Sequence, residues 1–293
     1  MSASGFENKP GYIWINGEFV KWNESYEHIL NHAMHYGSSV FEGNRAYNGK
    51  IFKLDEHSKR LIRSAEILGM KVPYTADEIN QACIDTLEKQ GFTNAYVRPY
   101  VWRGVGDELS IAGHGNKINL LIAMWEWPSY YSKDELMKGI KLCFAEYKRP
   151  SPATAPFEAK AAGLYVICTL SKHKAEAKGY SDALMLDYQG NVAEATSANI
   201  FFVKDGELHT PKADSFLNGI TRRTVIGLAK DAGIKVHERY IKPEELGDFA
   251  ECFLTGTAAE ITPVSVIETH NYKPAAVTAQ LMDAYYKLVG KTT

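Results

Sequence analysis

The chain of 293 residues is 45% hydrophobic, rich enough to bury a sizeable core and long enough for two domains. Its 33 basic and 35 acidic residues leave a net charge of −2, spread evenly without a basic stripe or charged tail, which argues against nucleic acid and anionic membrane as partners. Cys83, Cys143, Cys168 and Cys252 stand far apart in apolar contexts, MSASGFENKPGYIW has no apolar signal core, and no apolar run could cross a bilayer, so a cytoplasmic protein with buried thiols is expected.

In chain order, Asn16-Gly17 between YIWI and EFV predicts a hairpin, and Asn48-Gly49 between RAY and KIF predicts another. Alternation through HYGSSVFEGNRAYNGK is read as one strand with Phe41, Gly43, Arg45 and Tyr47 on one face, the glycine marking close approach by a ligand. Helices follow at 55–68, stopping at Gly69, and at 75–90, opening with the capping box Thr75-x-x-Glu78 and stopping at Gly91. Strand-like runs occupy 95–102 and 118–127. Residues 128–138 read as an interdomain loop, which divides the chain into a small α+β domain at 1–127 and a larger one at 139–293.

The second half predicts strands at 140–147, 183–188, 199–203 and 235–241 and helices at 165–178, 221–232 and 275–288, with a hairpin at Asp205-Gly206. In LTGTAAEITP, Thr257 and Glu260 have capping-box spacing, and Gly256 allows the backbone to come close to a ligand. Strands and helices mix without a regular βαβ rhythm, so the fold class expected is α+β.

The chemistry centres on PFEAKAAGLY, where Lys160 stands among small residues. Taken alone it reads as a solvated loop lysine; if the small side chains let a flat ligand approach, it instead has the setting of an amine that condenses with a carbonyl, the logic of a pyridoxal phosphate lysine. That chemistry also needs an acid on the pyridine nitrogen, for which Glu194 in GNVAEATSANIF is the candidate. It needs a phosphate cradle, for which Gly219, Ile220 and Thr221 at the start of a helix are the candidates, although most such starts bind nothing. It needs a pocket for an amino acid, and in AYVRPYVW alternation sets Arg98 among Tyr96, Tyr100 and Trp102, either stacked on core aromatics with its tip in water or as a carboxylate clamp at the end of apolar walls. His28, His32 and His35 have a spacing that could align three imidazoles, but no acid completes a metal site and they are read as structural. Gly104-x-Gly106 lacks the third glycine of a dinucleotide loop.

YGSSVFEGNR, EHSKRL, YVRP, EAKAAGLY, DYQGNVAEATSANIFFVKDG, NGITR and TGTAAEITPV occur in this order over almost the whole chain. Together they resemble the class IV (fold type IV) aminotransferases, most of all the branched-chain amino acid aminotransferases. The resemblance implies the two-domain architecture of the D-amino acid aminotransferase-like fold, with pyridoxal 5'-phosphate between the domains and a homodimer, or an assembly of dimers, as the working unit. It implies Lys160 as the Schiff-base lysine, Glu194 on the pyridine nitrogen, Arg60 on the phosphate and Tyr165 near the ring hydroxyl. Ser197, Asn199, Leu217, Gly219, Ile220, Thr221, Gly256 and Thr257 complete the implied cofactor site. Tyr36, Phe41, Gly43, Tyr96, Arg98, Trp127 and Tyr130 match the substrate pocket, with Thr257, Ala258 and Ala259 near the substrate carboxylate. The activity implied is transfer of the amino group from L-leucine, L-isoleucine or L-valine to 2-oxoglutarate.

The chain departs from the branched-chain pattern at Ala161, Ala162, Gly163 and Leu164, and in the mouth loop RGVGDELSIAGHG. It departs again at Ala195, Thr196, Ser197 and Ala198, where the hydroxyl-containing loop is closer to the D-amino acid aminotransferases. Transamination of D-amino acids or (R)-amines, and aminodeoxychorismate lyase activity, are the alternatives on the same fold.

Overall fold

The computed structural model describes residues 5–127 and 133–291. Its contacts divide the chain into two units: residues 1–128 with 159–163, and residues 129–158 with 164–293.

The first unit is built on a seven-stranded sheet in the order β2-β1-β7-β6-β4-β5, with β3 also pairing β6. Its strands are β1 (Tyr12–Ile15), β2 (Glu18–Lys21), β3 (Ser39–Phe41), β4 (Asn44–Tyr47), β5 (Lys50–Ile51), β6 (Ala95–Arg103) and β7 (Ile118–Glu126). The helices are α1 (His32–Tyr36), α2 (Leu54–Ile67) and α3 (Ala76–Gln90). Asn16 and Gly17, and Asn48 and Gly49, all have positive φ, the conformation two-residue hairpin turns require. The Thr75 capping box forms in full at α3. Helices α2 and α3 pack on each other, and α3 lies against β7 and β1. Their buried residues Leu61, Ala65, Ile79, Cys83 and Leu87 supply the apolar face that holds them there.

The strand read through Phe41–Tyr47 is two strands, β3 and β4, broken at Glu42-Gly43. The register on β6 runs on unchanged from Phe41↔Tyr100 to Asn44↔Val97, and Glu42 N–H still donates to Pro99 O at 2.8 Å, but Pro99 has no N–H to return and the ladder is interrupted there.

The second unit carries a nine-stranded sheet: β8 (Ile140–Phe144), β9 (Asp182–Leu186), β10 (Val192–Ala195), β11 (Asn199–Lys204), β12 (Glu207–Pro211), β13 (Val236–Arg239), β14 (Glu251–Gly256), β15 (Glu260–Ile267) and β16 (His270–Asn271). The path runs β10-β9-β8-β15-β14-β11-β12-β13 and β16 pairs β15, while β10 also pairs β11, so six strands close on themselves. Leu142, Leu184, Ile200, Leu254, Val264 and Ile267 lie in one buried apolar cluster of this unit. Helices α4 (Lys133–Leu136), α5 (Val166–Ala177), α6 (Ile220–Asp231) and α7 (Ala276–Val289) complete it. Thr257 and Glu260 do not start a helix: Thr257 lies in the turn from β14 to β15 and Glu260 is the first residue of β15, with a positive φ of 50°. Strand pairing from Cys252↔Val264 to Gly256↔Glu260 overrides the local capping signal there.

Candidate active site

In the first unit, Lys160 is fixed by its main chain. Its N–H donates to Ser64 Oγ at 3.0 Å and its carbonyl accepts from Phe41 N–H at 3.1 Å, while the next residue, Ala161, forms a bridge with Val40. The small side chains beside Lys160 therefore allow a short strand-like contact along β3. The side chain runs over an aromatic face, with Nζ 4.8 Å from the centroid of Phe41.

The Arg98 guanidinium lies over the same Phe41 ring at 4.7 Å and over Tyr96 at 5.2 Å, and it donates to the Tyr96 hydroxyl at 3.1 Å. Tyr96 in turn stacks on Trp125 at 4.9 Å and tilts against Trp127 at 5.3 Å. Gly43 has its own reason for lacking a side chain: a Cβ there would sit 2.2 Å from the Tyr96 hydroxyl oxygen. Tyr36 is exposed and its ring packs on His32 at 4.7 Å. Tyr130 lies outside the described residues.

Arg60 makes a fork on Glu42, with Nε to Oε1 at 2.7 Å and Nη2 to Oε2 at 2.8 Å. His57, one turn earlier on α2, donates from Nδ1 to Glu42 Oε2 at 2.6 Å. Burial by itself would raise the Glu42 pKa, but Arg60 and His57 outweigh it and hold the carboxyl well below its ordinary range. Burial pushes His57 below its ordinary value, with Arg60 and Lys160 adding to the shift, more than Glu42 can restore. His57 is therefore the neutral donor to an ionised acceptor. Sequence reasoning missed Glu42, His57 and Ser64, although the first two stand inside FEGNR and EHSKRL.

In the second unit, Glu194 on β10 is buried and registers opposite Asn199 on β11. Its Oε2 accepts from Asn199 Nδ2 at 3.1 Å, and Oε1 lies 3.4 Å from Nε of the buried Arg149. No periodicity around Arg149 signals this pairing. Arg149 Nη1 also reaches Cys168 Sγ at 3.4 Å, but burial outweighs that contact and pushes the thiol up to about 11, so it stays protonated.

Asn199 bridges from the carboxylate to the start of α6. Its Nδ2 also donates to Leu217 O at 3.1 Å and its Oδ1 accepts from Gly219 N–H at 3.2 Å. A Cβ on Gly219 would fall 2.2 Å from that Oδ1, so a larger residue would displace the Asn199 amide. Helix α6 begins at Ile220 with no side-chain cap, and a helix N-terminus of this kind presents the amides of Ile220 and Thr221 to an anion. Tyr165 ends the short turn before α5, Ser197 is exposed, and Thr257, Ala258 and Ala259 form the β14–β15 turn. A Cβ on Gly256 would meet only ordinary contacts at 3.6 Å and beyond. The Thr196 hydroxyl is taken by Asp182 Oδ1 at 2.6 Å, inside the scaffold.

The histidine triplet does not converge. His32 Nδ1 meets Ser38 Oγ at 2.6 Å, His35 Nε2 meets Ile29 O at 2.9 Å, and His28 Nδ1 accepts from Leu30 N–H at 3.1 Å.

The first unit holds an amine beside an aromatic face, and the second holds a buried carboxylate and a glycine-started helix. Similarity to known proteins gives the class. Residues 39–267 match the family model for amino-transferase class IV. The chain belongs to the class IV aminotransferases. It is similar to a probable branched-chain-amino-acid aminotransferase of Rickettsia felis, 45% identical over 280 residues that cover 96% of this chain and 95% of the relative. A solved branched-chain amino acid aminotransferase from Escherichia coli is 38% identical with a TM-score of 0.89, covering 97% of this chain and 96% of that one. The branched-chain amino acid aminotransferase from Thermobaculum terrenum, solved in its PLP (holo) form, gives 32% identity and a TM-score of 0.89 over 97% of this chain and 95% of that one.

Proposed function

We propose that this protein transfers the amino group of L-branched-chain amino acids to 2-oxoglutarate, using pyridoxal 5'-phosphate and giving branched 2-oxo acids and L-glutamate. The observation that carries the reading is Lys160 pinned through both main-chain groups beside Phe41, with the Arg98 guanidinium over the same ring.

The residues fit the cofactor. The glycine-started N-terminus of α6 suits a phosphate, a buried carboxylate suits a protonated ring nitrogen, and Lys160 suits an aldehyde. When bound, the cofactor supplies a carbonyl for the substrate amine and a sink for the electrons released at the α-carbon. Amides of Ile220 and Thr221, with Arg60, would hold the phosphate, and Tyr165, Ser197, Leu217, Gly256 and Thr257 would line the group. Glu194 would keep the ring nitrogen protonated, itself oriented by Asn199 and Arg149. Lys160 Nζ, freed by the substrate amine, would take the α-proton as a general base. Phe41, Tyr96 and Trp127, with Tyr36, Gly43 and Tyr130, would wall the aliphatic side chain. Arg98 would hold the distal carboxylate of 2-oxoglutarate, so one pocket accepts both partners. Ala258 and Ala259 would lie near the α-carboxylate. Commitment of the Thr196 hydroxyl to Asp182 removes it as a pocket donor, so the loop that favours D-amino acids in sequence offers less to such a substrate than its composition implies.

The minimal unit proposed is a homodimer in the cytoplasm. Tyr26, Ile29 and Met34 stand exposed on the isolated chain, and among the described residues no helix is long and apolar enough to cross a membrane. Light scattering on the purified protein tests the dimer.

The test of the activity is the absorption spectrum of the cofactor-loaded protein before and after L-leucine without an acceptor. The expected result is replacement of the long-wavelength band by one at shorter wavelength, with recovery on adding 2-oxoglutarate. A response to D-amino acids alone would overturn the L-branched-chain reading, and failure to take up pyridoxal phosphate would overturn the cofactor.

A further inference from the structure

The Glu42–His57–Arg60 cluster sits at a place where simple charge counting gives the wrong sign. A guanidinium meant to attract an anion is placed in a fork on a fully buried carboxylate, which cancels most of its long-range attraction. Burying a carboxylate is costly, and replacing a buried ion pair by apolar residues is often neutral or stabilising, so stability alone does not account for the pair.

What the fork supplies is direction. Two N–H···O contacts of 2.7 and 2.8 Å on both oxygens of Glu42 fix the plane and the roll of the guanidinium. Glu42 is itself fixed, by its N–H on Pro99 O and by His57 Nδ1 on Oε2. His57, Arg60 and Ser64 recur at spacings of three and four on α2, which brings them to one helical face. Ser64 on that face accepts the N–H of Lys160. One helix face thus sets both the guanidinium and the main chain of the lysine.

We propose that Glu42, supported by His57, is a positioning residue that orients Arg60 as a directed donor to the phosphate of the cofactor. The inference rests on the reading of Arg60 as a phosphate ligand. It also carries a sign opposite to electrostatics: Glu42→Gln makes the cluster more positive, so charge alone would tighten binding of a dianion, whereas loss of the fork would weaken it.

The test is titration of the cofactor-free protein with pyridoxal phosphate and, separately, with pyridoxal, which has no phosphate, for the wild type, Glu42→Gln, His57→Asn and Arg60→Lys. Expected are Kd values for pyridoxal phosphate raised roughly 10-fold or more in Glu42→Gln and Arg60→Lys, the loss of a charge-assisted contact, and less in His57→Asn. Affinity for pyridoxal should stay near that of the wild type in all three. Unchanged or tighter pyridoxal phosphate binding by Glu42→Gln overturns the proposal, and so does equal loss for both ligands, which marks a purely structural role. If Glu42→Gln does not fold, judged by circular dichroism, the same comparison in His57→Asn decides. A wild type that binds neither ligand instead overturns the cofactor assignment itself. A further variant, Arg60→Ala, titrated in the same way and binding pyridoxal phosphate as tightly as the wild type, removes Arg60 from the phosphate, and the positioning role with it.

Discussion

The main-chain N–H of Lys160 donates to the hydroxyl of Ser64 at 3.0 Å, tying this lysine to a helix residue 96 positions earlier in the chain. Ser64 is fully buried, so no bulk water stands ready to replace it. Ser64→Ala should leave the amide unsatisfied and destabilise the protein by about 1–3 kcal/mol, while Ser64→Thr keeps the hydroxyl and should cost less if its methyl is accommodated. Urea denaturation measures both, and a Ser64→Ala variant as stable as the wild type would refute the coupling.

Gly43→Ala should act on the pocket through Tyr96. The new Cβ would lie 2.2 Å from the phenol oxygen, so the ring must move and its hydroxyl leaves Arg98. Overpacking of this kind typically costs about 1–3 kcal/mol. Thermal melts should show the loss, and Tyr96→Phe added to Gly43→Ala should recover part of it by removing the colliding atom. No recovery would place the strain elsewhere.

Asn199 links Glu194 to Gly219, and the chemistry of its amide gives an order of effects. Asn199→Ala removes three contacts, whereas Asn199→Asp also sets a second carboxylate against Glu194 and against the Leu217 carbonyl. Dissociation constants for pyridoxal phosphate should therefore rise in the order wild type, Ala, Asp. A tighter-binding Asp variant would show that Asn199 does not orient Glu194.

Acid stability should depend on the buried cluster of α2. His57 is held below its ordinary 6.5, so below that pH the unfolded chain binds its proton more readily and stability falls as pH falls. Glu42, held below its ordinary 4.5, contributes stability that is present above that value and lost as pH drops through its folded-state pKa. The two losses have the same sign. Melting temperatures of His57→Asn should accordingly change less between pH 7 and about pH 5 than those of the wild type, and equal slopes would count against a neutral buried His57.

Arg98→Ala should separate the two substrates. It removes the guanidinium over Phe41 but leaves the aromatic walls, so KM for 2-oxoglutarate should rise by roughly 10-fold or more while KM for L-leucine changes little. Steady-state kinetics with each substrate varied in turn measures this, and equal increases would give Arg98 a structural role.

Local elements were legible because their causes are local. Asn16-Gly17 and Asn48-Gly49 take the positive φ of tight hairpins whatever surrounds them, and Thr75 and Glu78 cap α3 within one turn. The alternation of β6 likewise brings Arg98 beside Tyr96. Where the local signal met long-range pairing it lost: Thr257 and Glu260 carry helix-start spacing, but Thr257 lies in a turn and Glu260 opens the second of the two strands it joins.

By itself, then, the order of residues determined the hairpins, the amphipathic helices, the family and the set of candidate residues around Lys160 and Glu194. Tertiary structure alone decided the partners of those residues: Glu42 for Arg60 across 18 positions, Ser64 for Lys160 across 96, and Arg149 for Glu194. The closure of β10 onto β11 is of the same kind, since it depends on the whole path of intervening strands. Periodicity and turn chemistry act over one turn or one hairpin. A buried ion pair or an amide on a distant hydroxyl is chosen by which groups remain unsatisfied once the chain has folded.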